Sequence, residues 1–366
     1  MPFGVDLPEN FVPVVLGLMF AAWAGIVTLY VLKRLKNNAL MAPIPYISGA
    51  FIPYLGHAVY LAGGQPWDTF YKWASGCGWT CRLLILGRDV LYTSEPKLIK
   101  RILQTNQRIY RKDLELSYNE FMCILGRGLV TSEDQAWVRG RMLLSHAFRI
   151  DILDDIPDIA IRATKRLMNS LEGSKEKKSG SVVCVDLAES FRCLTLQVIA
   201  EAVLSFTPEE SDAVFPSLYL PIVTECNERV WAPWRKLMFW SSGFRHRAQC
   251  LEKLNDFLAN VVRQRWQSLQ DAKAKGIAPA KHDIFGTCLN YVKEFSEDTV
   301  LQLRDDLKTF LLAGHETSAA MLSWAVYELC CRHPEYLEEL RREHEAVFVS
   351  HGKANGTGSL PSVATL

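Results

Sequence analysis

The sequence has almost no net charge: 41 lysines and arginines stand against 40 aspartates and glutamates, a formal balance of +1. That leaves no global field to recruit nucleic acid or an acidic partner, so any charge-based function must be local. There is no internal repeat and no low-complexity domain. None of the ten cysteines (Cys77, Cys81, Cys123, Cys184, Cys193, Cys226, Cys250, Cys288, Cys330 and Cys331) makes a CxxC pair, and most sit inside apolar helical patterns. They read as reduced thiols packed as small hydrophobes, not as a disulfide framework. An HExxH metalloprotease is excluded too: His315 and Glu316 open the letters of the motif, but Ala319 stands where the second histidine is needed.

What is present is apolar and helical. The chain has 366 residues, 49% hydrophobic, enough for one large domain or two ordinary ones with a substantial core. Phe11 to Leu32 (FVPVVLGLMFAAWAGIVTLYVL) is uncharged and long enough to cross roughly 30 Å of hydrocarbon. Lys33, Arg34 and Lys36 follow it, which predicts a retained anchor with the body on the cytosolic side. A cleaved signal peptide is the alternative, but its apolar region would be shorter and its basic residues would come first. Pro43, Pro45 and Pro53 then suit a stiff extended connector.

Along the body, WDTFYKWASGCG reads as a short amphipathic helix. Trp79–Leu86, a GRD turn and Val90–Thr93 read as a β-hairpin. EPKLIKRIL opens another helix. From Asp134 the period is helical: 134–148, 152–171, 187–204, 209–228, 244–275, 297–332 and 334–349. Glu172–Ser181 is a charged surface loop, and KAKGIAPAKHD ends one long helix before the next. The body is mainly α with a small β element near its N-terminus.

The longest helical segment carries a polar interruption, FLLAGHETSAAMLSW (Phe310–Trp324). A helix over Glu297–Arg332 would run roughly 54 Å and bury its middle. There Gly314 removes a side chain, so that something flat or bulky can approach the backbone. Thr317 can turn its hydroxyl back to the carbonyl of Ala313, loosening the helix into a groove. Glu316 beside a hydroxyl suggests proton handling. The other reading is a helix–helix contact in which the glycine permits close approach.

A second constellation is GLVTSEDQAWVRGRMLLSHAFR (Gly128–Arg149). Thr131 or Ser132 can cap a helix whose one side carries Trp137, Arg141 and Phe148. An indole NH and a guanidinium one turn apart can both donate to a carboxylate-bearing ligand. The alternative is a core tryptophan with a snorkelling arginine.

Together these stretches resemble the cytochrome P450 family of haem-thiolate monooxygenases. AGHETS (Ala313–Ser318) is similar to the family's (A/G)Gx(D/E)T(T/S) motif, and Trp137-xxx-Arg141 to its WxxxR motif. The order of elements agrees over nearly the whole chain, through HPEYLEELRREHEAV. The resemblance implies a mainly α, P450-like fold with a small N-terminal β element and an N-terminal transmembrane helix. It divides the chain into a lumenal tail (1–10), an anchor (11–32), a basic and proline-rich hinge (33–58) and an incomplete P450 domain (59–366). It implies a single-pass protein of the endoplasmic reticulum membrane that inserts one atom of dioxygen into an apolar substrate. Electrons would come from NADPH through a flavoprotein reductase. Trp137 and Arg141 would contact the haem propionates, Ala313 and Gly314 would lie over the ring, and Glu316 with Thr317 would stabilise bound dioxygen and relay protons.

The family's iron is held by a cysteine in an FxxGxRxCxG loop, and no cysteine here has that context. Glu189-xx-Arg192 and Glu338-xx-Arg341 match the letters of the family's ExxR helix but not its place in the chain. SLPSVATL at the end is similar to the linker that leads into that helix, so the expectation is a chain that stops before the haem-binding core is complete. One fatty-acid-hydroxylating branch links a glutamate just before the motif glycine to haem; here that position is Ala313, so no link is expected. The competing class is a non-catalytic, membrane-tethered helical protein that at most binds a ligand or partner.

Overall fold

The computed structural model describes residues 11–49, 52, 54–61, 65–146, 155–176, 184–276 and 283–355. The N-terminal tail, Phe148, residues 177–181 of the charged loop, the 277–282 stretch and the C-terminal SLPSVATL lie outside the described residues. The chain divides into two compact units, Met1–Tyr110 and Arg111–Leu366.

In the first unit, α1 (Phe11–Leu40) covers the apolar stretch and continues through Lys33, Arg34 and Lys36. Among the described residues no helix is long and apolar enough to cross a membrane, so the expected spanning anchor is not supported. The end of α1 is polar and belongs to the folded unit: Arg34 and Asn37 donate to Asp89 at 2.5 and 2.7 Å. Next come α2 (Ala58–Leu61) and α3 (Pro66–Gly76), the expected amphipathic helix. The hairpin pairs β1 (Thr80–Ile85) with β2 (Arg88–Thr93) antiparallel, Leu83 opposite Val90. Its turn is Leu86–Gly87, both at positive φ (48° and 76°), one residue earlier than the expected GRD. Such a left-handed pair matches the right-handed twist of the strands, and the chain is already extended at Arg88. A small core of Ile47, Cys81 and Leu83 lies under the hairpin, with Phe70 and Trp73 against it. The last α-helix of the unit, α4 (Pro96–Lys100), runs on into a wide turn at Arg101–Thr105 and a tight one at Gln107–Ile109.

The second unit is helical in its described residues: α5 (Met122–Leu125), α6 (Asp134–Ser145), α7 (Ile156–Glu176), α8 (Leu187–Leu204), α9 (Pro208–Val214), α10 (Leu220–Trp231), α11 (Ser242–Ala274), α12 (Ile284–Asn290), α13 (Glu297–Tyr327) and α14 (Tyr336–Asn355). The expected single helix over 209–228 is split by a wide turn at Phe215–Tyr219. Pro216 and Pro221 each remove a backbone donor there, so a regular ladder cannot run through. The charged Glu172–Glu176, expected as loop, continue α7.

Side chains cap the long helices. Asp186 accepts from Glu189 N, Ser241 from Phe244 N and Ser296 from Thr299 N, each satisfying an orphan donor of the first turn. At α6 the expected hydroxyl cap is replaced: Thr131 donates to the carbonyls of Gly126 and Gly128, and Ser132 to that of Leu129. Glu133 is the cap residue, and its carboxylate instead accepts from Lys112 N at 2.6 Å. The core gathers Phe215, Tyr219, Ile222, Leu254, Leu258, Phe285, Leu307 and Leu311, all essentially inaccessible. The central helix α13, about 46 Å long at the usual rise, lies against α8, α11 and α5.

Candidate functional site

The front half of α13 is fixed by carboxylates that the sequence reading passed over. Asp305 and Asp306 are buried and accept from backbone amides of the turn before α6, Arg127 N at 3.0 Å and Leu129 N at 2.9 Å. Gln302 donates to the Arg127 carbonyl at 2.7 Å. Two glycines allow this approach: a Cβ at Gly126, whose φ is +48°, would collide with the Asp305 carboxylate, and one at Gly128 with the Thr309 hydroxyl. Lys308 offsets the charge, 2.9 Å from Asp305 and 2.9 Å from the Asn255 side-chain oxygen. Burial pushes Asp306 up to about 6 and, acting on the opposite charge, pushes Lys308 down.

In its middle, α13 turns the polar run toward α8. Gly314 meets Ile199: a Cβ there would stand 2.6 Å from Ile199 Cγ1. The glycine thus permits a close helix–helix contact, the other reading given for this run. One turn along α8, Thr195 donates to the His315 carbonyl at 2.9 Å. Arg192 bridges Glu316 (2.8 Å) and Glu189 (3.0 Å). His315 is fully buried; its Nδ1 donates to the Leu311 carbonyl at 2.9 Å, and its ring meets Tyr219 edge-on at 5.3 Å. His315 Nε2 stands 3.4 Å from Glu316 but is not aligned for a hydrogen bond, and the Tyr219 hydroxyl is likewise buried without a partner among the described residues. The neighbouring His315 ring, followed by the Arg192 charge, holds the Glu316 carboxyl below its usual range despite its burial. Glu316 is thus an ionised group tied to α8 and a poor proton donor near neutrality.

On the other side of α13, Ala313 and Thr317 are exposed one turn apart, continuing into Met321 and Trp324. The expected back-bond is present: Thr317 Oγ1 donates to the Ala313 carbonyl at 2.7 Å. On α6, Trp137 and Arg141 are also exposed, the guanidinium 5.7 Å from the indole centroid. Among the described residues neither the indole nitrogen nor the guanidinium has a hydrogen-bond or ion-pair partner. This free donor pair fits the carboxylates of a haem, and the small Ala313 with the Thr317 hydroxyl fits a flat group laid on that face. Sequence reasoning named Arg192 only for its ExxR letters and passed over Thr195, Asp305, Asp306 and Lys308. The available signal was a buried carboxylate's need for a partner on a neighbouring helix, where Arg192 and Thr195 stand three residues apart amid apolar positions.

The comparisons agree with this architecture. A family model described as Cytochrome P450 matches residues 48–357, and the chain belongs to that family. It is 28% identical to rat cytochrome P450 4F6 over 69% of this chain and 48% of the relative. It is 26% identical to the human ultra-long-chain fatty acid omega-hydroxylase over 71% of this chain and 50% of the relative. Protein LUTEIN DEFICIENT 5, chloroplastic, of Arabidopsis thaliana is 26% identical over 73% of this chain and 45% of its own length. The chain thus spans about half the length of the curated relatives it matches. The crystal structure of the cytochrome P450DA heme domain superposes with a TM-score of 0.64 at 22% identity, covering 88% of this chain and 66% of that one, a likeness of fold.

Proposed function

We propose that this chain contributes to a haem-dependent monooxygenase that inserts one atom of dioxygen into an apolar organic substrate, with electrons from NADPH delivered by a flavoprotein reductase. Family membership supports the reaction class. The human relative's name makes ultra-long-chain fatty acids the first substrates to assay. The observation that carries the reading to particular residues is the donor pair Trp137 and Arg141, exposed on one face of α6 without an acceptor among the described residues. In this proposal they bind the propionates, and Ala313 and Thr317 provide the face of α13 that meets the ring. The bound haem would supply the dioxygen chemistry. Thr317 keeps a hydroxyl proton at that face, with the Ala313 carbonyl holding its orientation. Glu316, ionised and paired with Arg192, acts as a fixed negative charge behind it. None of the ten cysteines is assigned to the iron.

Association with the endoplasmic reticulum membrane, the body facing the cytosol, belongs to the same proposal. It is supported by the apolar side chains that α1 exposes, among them Phe20, Trp23, Ile26 and Leu29, and by the basic residues after Leu32.

The test is haem binding by the full chain, followed by absorption and by competition with apomyoglobin. Arg141→Ala should weaken retention by roughly 1.5–3 kcal/mol, the range for a hydrogen bond to a charged group, with helical content unchanged. Equal retention by Arg141→Ala and the unaltered chain would remove the assignment.

A further inference from the structure

A pair of thiols lies on two helices that carry none of the proposed haem-binding residues. Cys123, on the short helix α5, and Cys226, on α10, bring their sulfurs to 3.6 Å although 103 residues separate them. Arg247 of α11 reaches both, with Nη1 3.5 Å from Cys123 Sγ and 3.9 Å from Cys226 Sγ. Among the described residues Arg247 has no carboxylate partner, and its Nε is buried without any partner. A half-buried guanidinium is seldom left without an anion. Here the group it can face is a thiolate.

The remaining neighbours are a cation and a neutral oxygen. Lys308 of α13 donates to the Cys123 carbonyl at 3.3 Å, and the Cys123 thiol faces the Glu120 carbonyl at 3.5 Å. The Glu120 carboxylate is itself paired with Lys236. The hydrogen bond from the Cys226 thiol, and then the Arg247 and Lys308 charges, hold Cys123 below the usual thiol range despite burial. The same hydrogen bond, together with burial, keeps Cys226 protonated. One sulfur is thus prepared as nucleophile and the other as resolving thiol. The other thiols with resolved shifts (Cys81, Cys193, Cys250 and Cys288) are all pushed upward, burial being the largest cause.

We propose that Cys123 and Cys226 form a peroxide-responsive dithiol that closes to a disulfide, a modification site distinct from the haem face. The Cys123 thiolate attacks one oxygen of hydrogen peroxide, the O–O bond breaks, and the departing hydroxide takes a proton to become water. Cys123 is then a sulfenic acid. The Cys226 sulfur attacks it, an S–S bond forms, and the sulfenic hydroxyl leaves as a second water with the Cys226 proton. Two thiols lose two electrons and one peroxide gains them. The sulfurs need to close by about 1.5 Å to reach bonding distance. The new bond staples α10 to the segment whose glycine turn seats on Asp305 and Asp306.

The experiment exposes the purified full chain to hydrogen peroxide, then alkylates it under denaturing conditions and maps non-reduced peptides by mass spectrometry. The expected product is a Cys123–Cys226 linked peptide that dithiothreitol abolishes, accompanied by a rise in thermal midpoint. In Cys226→Ser, whose replacement is nearly isosteric, Cys123 should be trapped as a sulfenic acid by dimedone. Compared at pH 5, where the thiolate fraction limits the rate, Arg247→Gln should slow linkage about tenfold, the effect of one unit of thiol acidity. The proposal is overturned if both thiols remain alkylatable while exposed Cys184 and Cys330 oxidise, or if linkage is as fast in Arg247→Gln.

Discussion

At the scale of single residues, the informative feature is where the polar atoms of the Gly314–Thr317 run find partners. Four successive side-chain positions spread around a helix, so they cannot share one neighbour. Gly314 and Glu316 meet α8, His315 is buried beside Tyr219, and Thr317 is left on the exposed side. The Arg192–Glu316 pair is about three-quarters buried on both sides. Removing one member leaves the other charge without its partner, whereas removing both does not. Arg192→Ala and Glu316→Ala should therefore each destabilise the chain by about 1–3 kcal/mol, and the double variant by less than the sum. Urea unfolding of the four proteins measures this. Strict additivity would mean that the pair is not coupled. The Glu316 carboxyl is held below its usual range, so its contribution is present at neutral pH and fades as pH falls through the lowered value.

At the scale of elements, the contact between α8 and α13 depends on the absence of a side chain. Adding a methyl group at Gly314 raises intrinsic helix propensity by about 1 kcal/mol, which on its own would stabilise α13. The methyl would also meet Ile199 Cγ1 at 2.6 Å, and overpacking of this kind costs about 1–3 kcal/mol. The steric term should win, so Gly314→Ala is expected to lower stability. Ile199→Ala combined with Gly314→Ala should recover part of the loss relative to the sum of the single variants, because the smaller neighbour vacates the site. A shift of the thermal midpoint upward in Gly314→Ala alone would show that the helices are not in close contact there. Splitting of the 209–228 segment belongs to the same scale. Its apolar period is continuous, but Pro216 and Pro221 interrupt the hydrogen bonds that a continuous helix needs.

At the scale of the second unit as a whole, stability should depend on pH through Asp306. Unfolded, this carboxyl titrates near its ordinary 3.8, and folded it titrates near 6. Between those values the folded chain holds a proton that the unfolded chain has released. Stability from this group is therefore greatest at low pH and falls as pH rises from about 4 to about 6, by up to about 3 kcal/mol. Asp306→Asn keeps an oxygen for Leu129 N without the buried charge, so it should flatten that fall and raise the midpoint at pH 7. Thermal unfolding from pH 4 to 8 checks both. An unaltered slope in the variant would show that Asp306 is ionised throughout. The fall is opposed at the acid end by Glu316 and Glu225, both held below their usual range.

Local sequence specifies the helical content, the early hairpin, the long central helix and the Thr317 back-bond. Each of these rests on local period, turn chemistry or a bond within one helical turn. It also placed Trp137 and Arg141 on one helix face, since that follows from a spacing of four. The tertiary structure decided which way each polar group faces. Nothing local tells Gly314 to meet Ile199, Glu316 to pair with Arg192 124 residues away, or Asp305 and Asp306 to receive the turn at Gly126–Leu129. The same holds for Cys123 and Cys226, which stand alone in the sequence and share one arginine in the fold. Helical period fixes a side chain's angle about its own axis, but the neighbour at that angle is set by how helices far apart in sequence pack to fill one core.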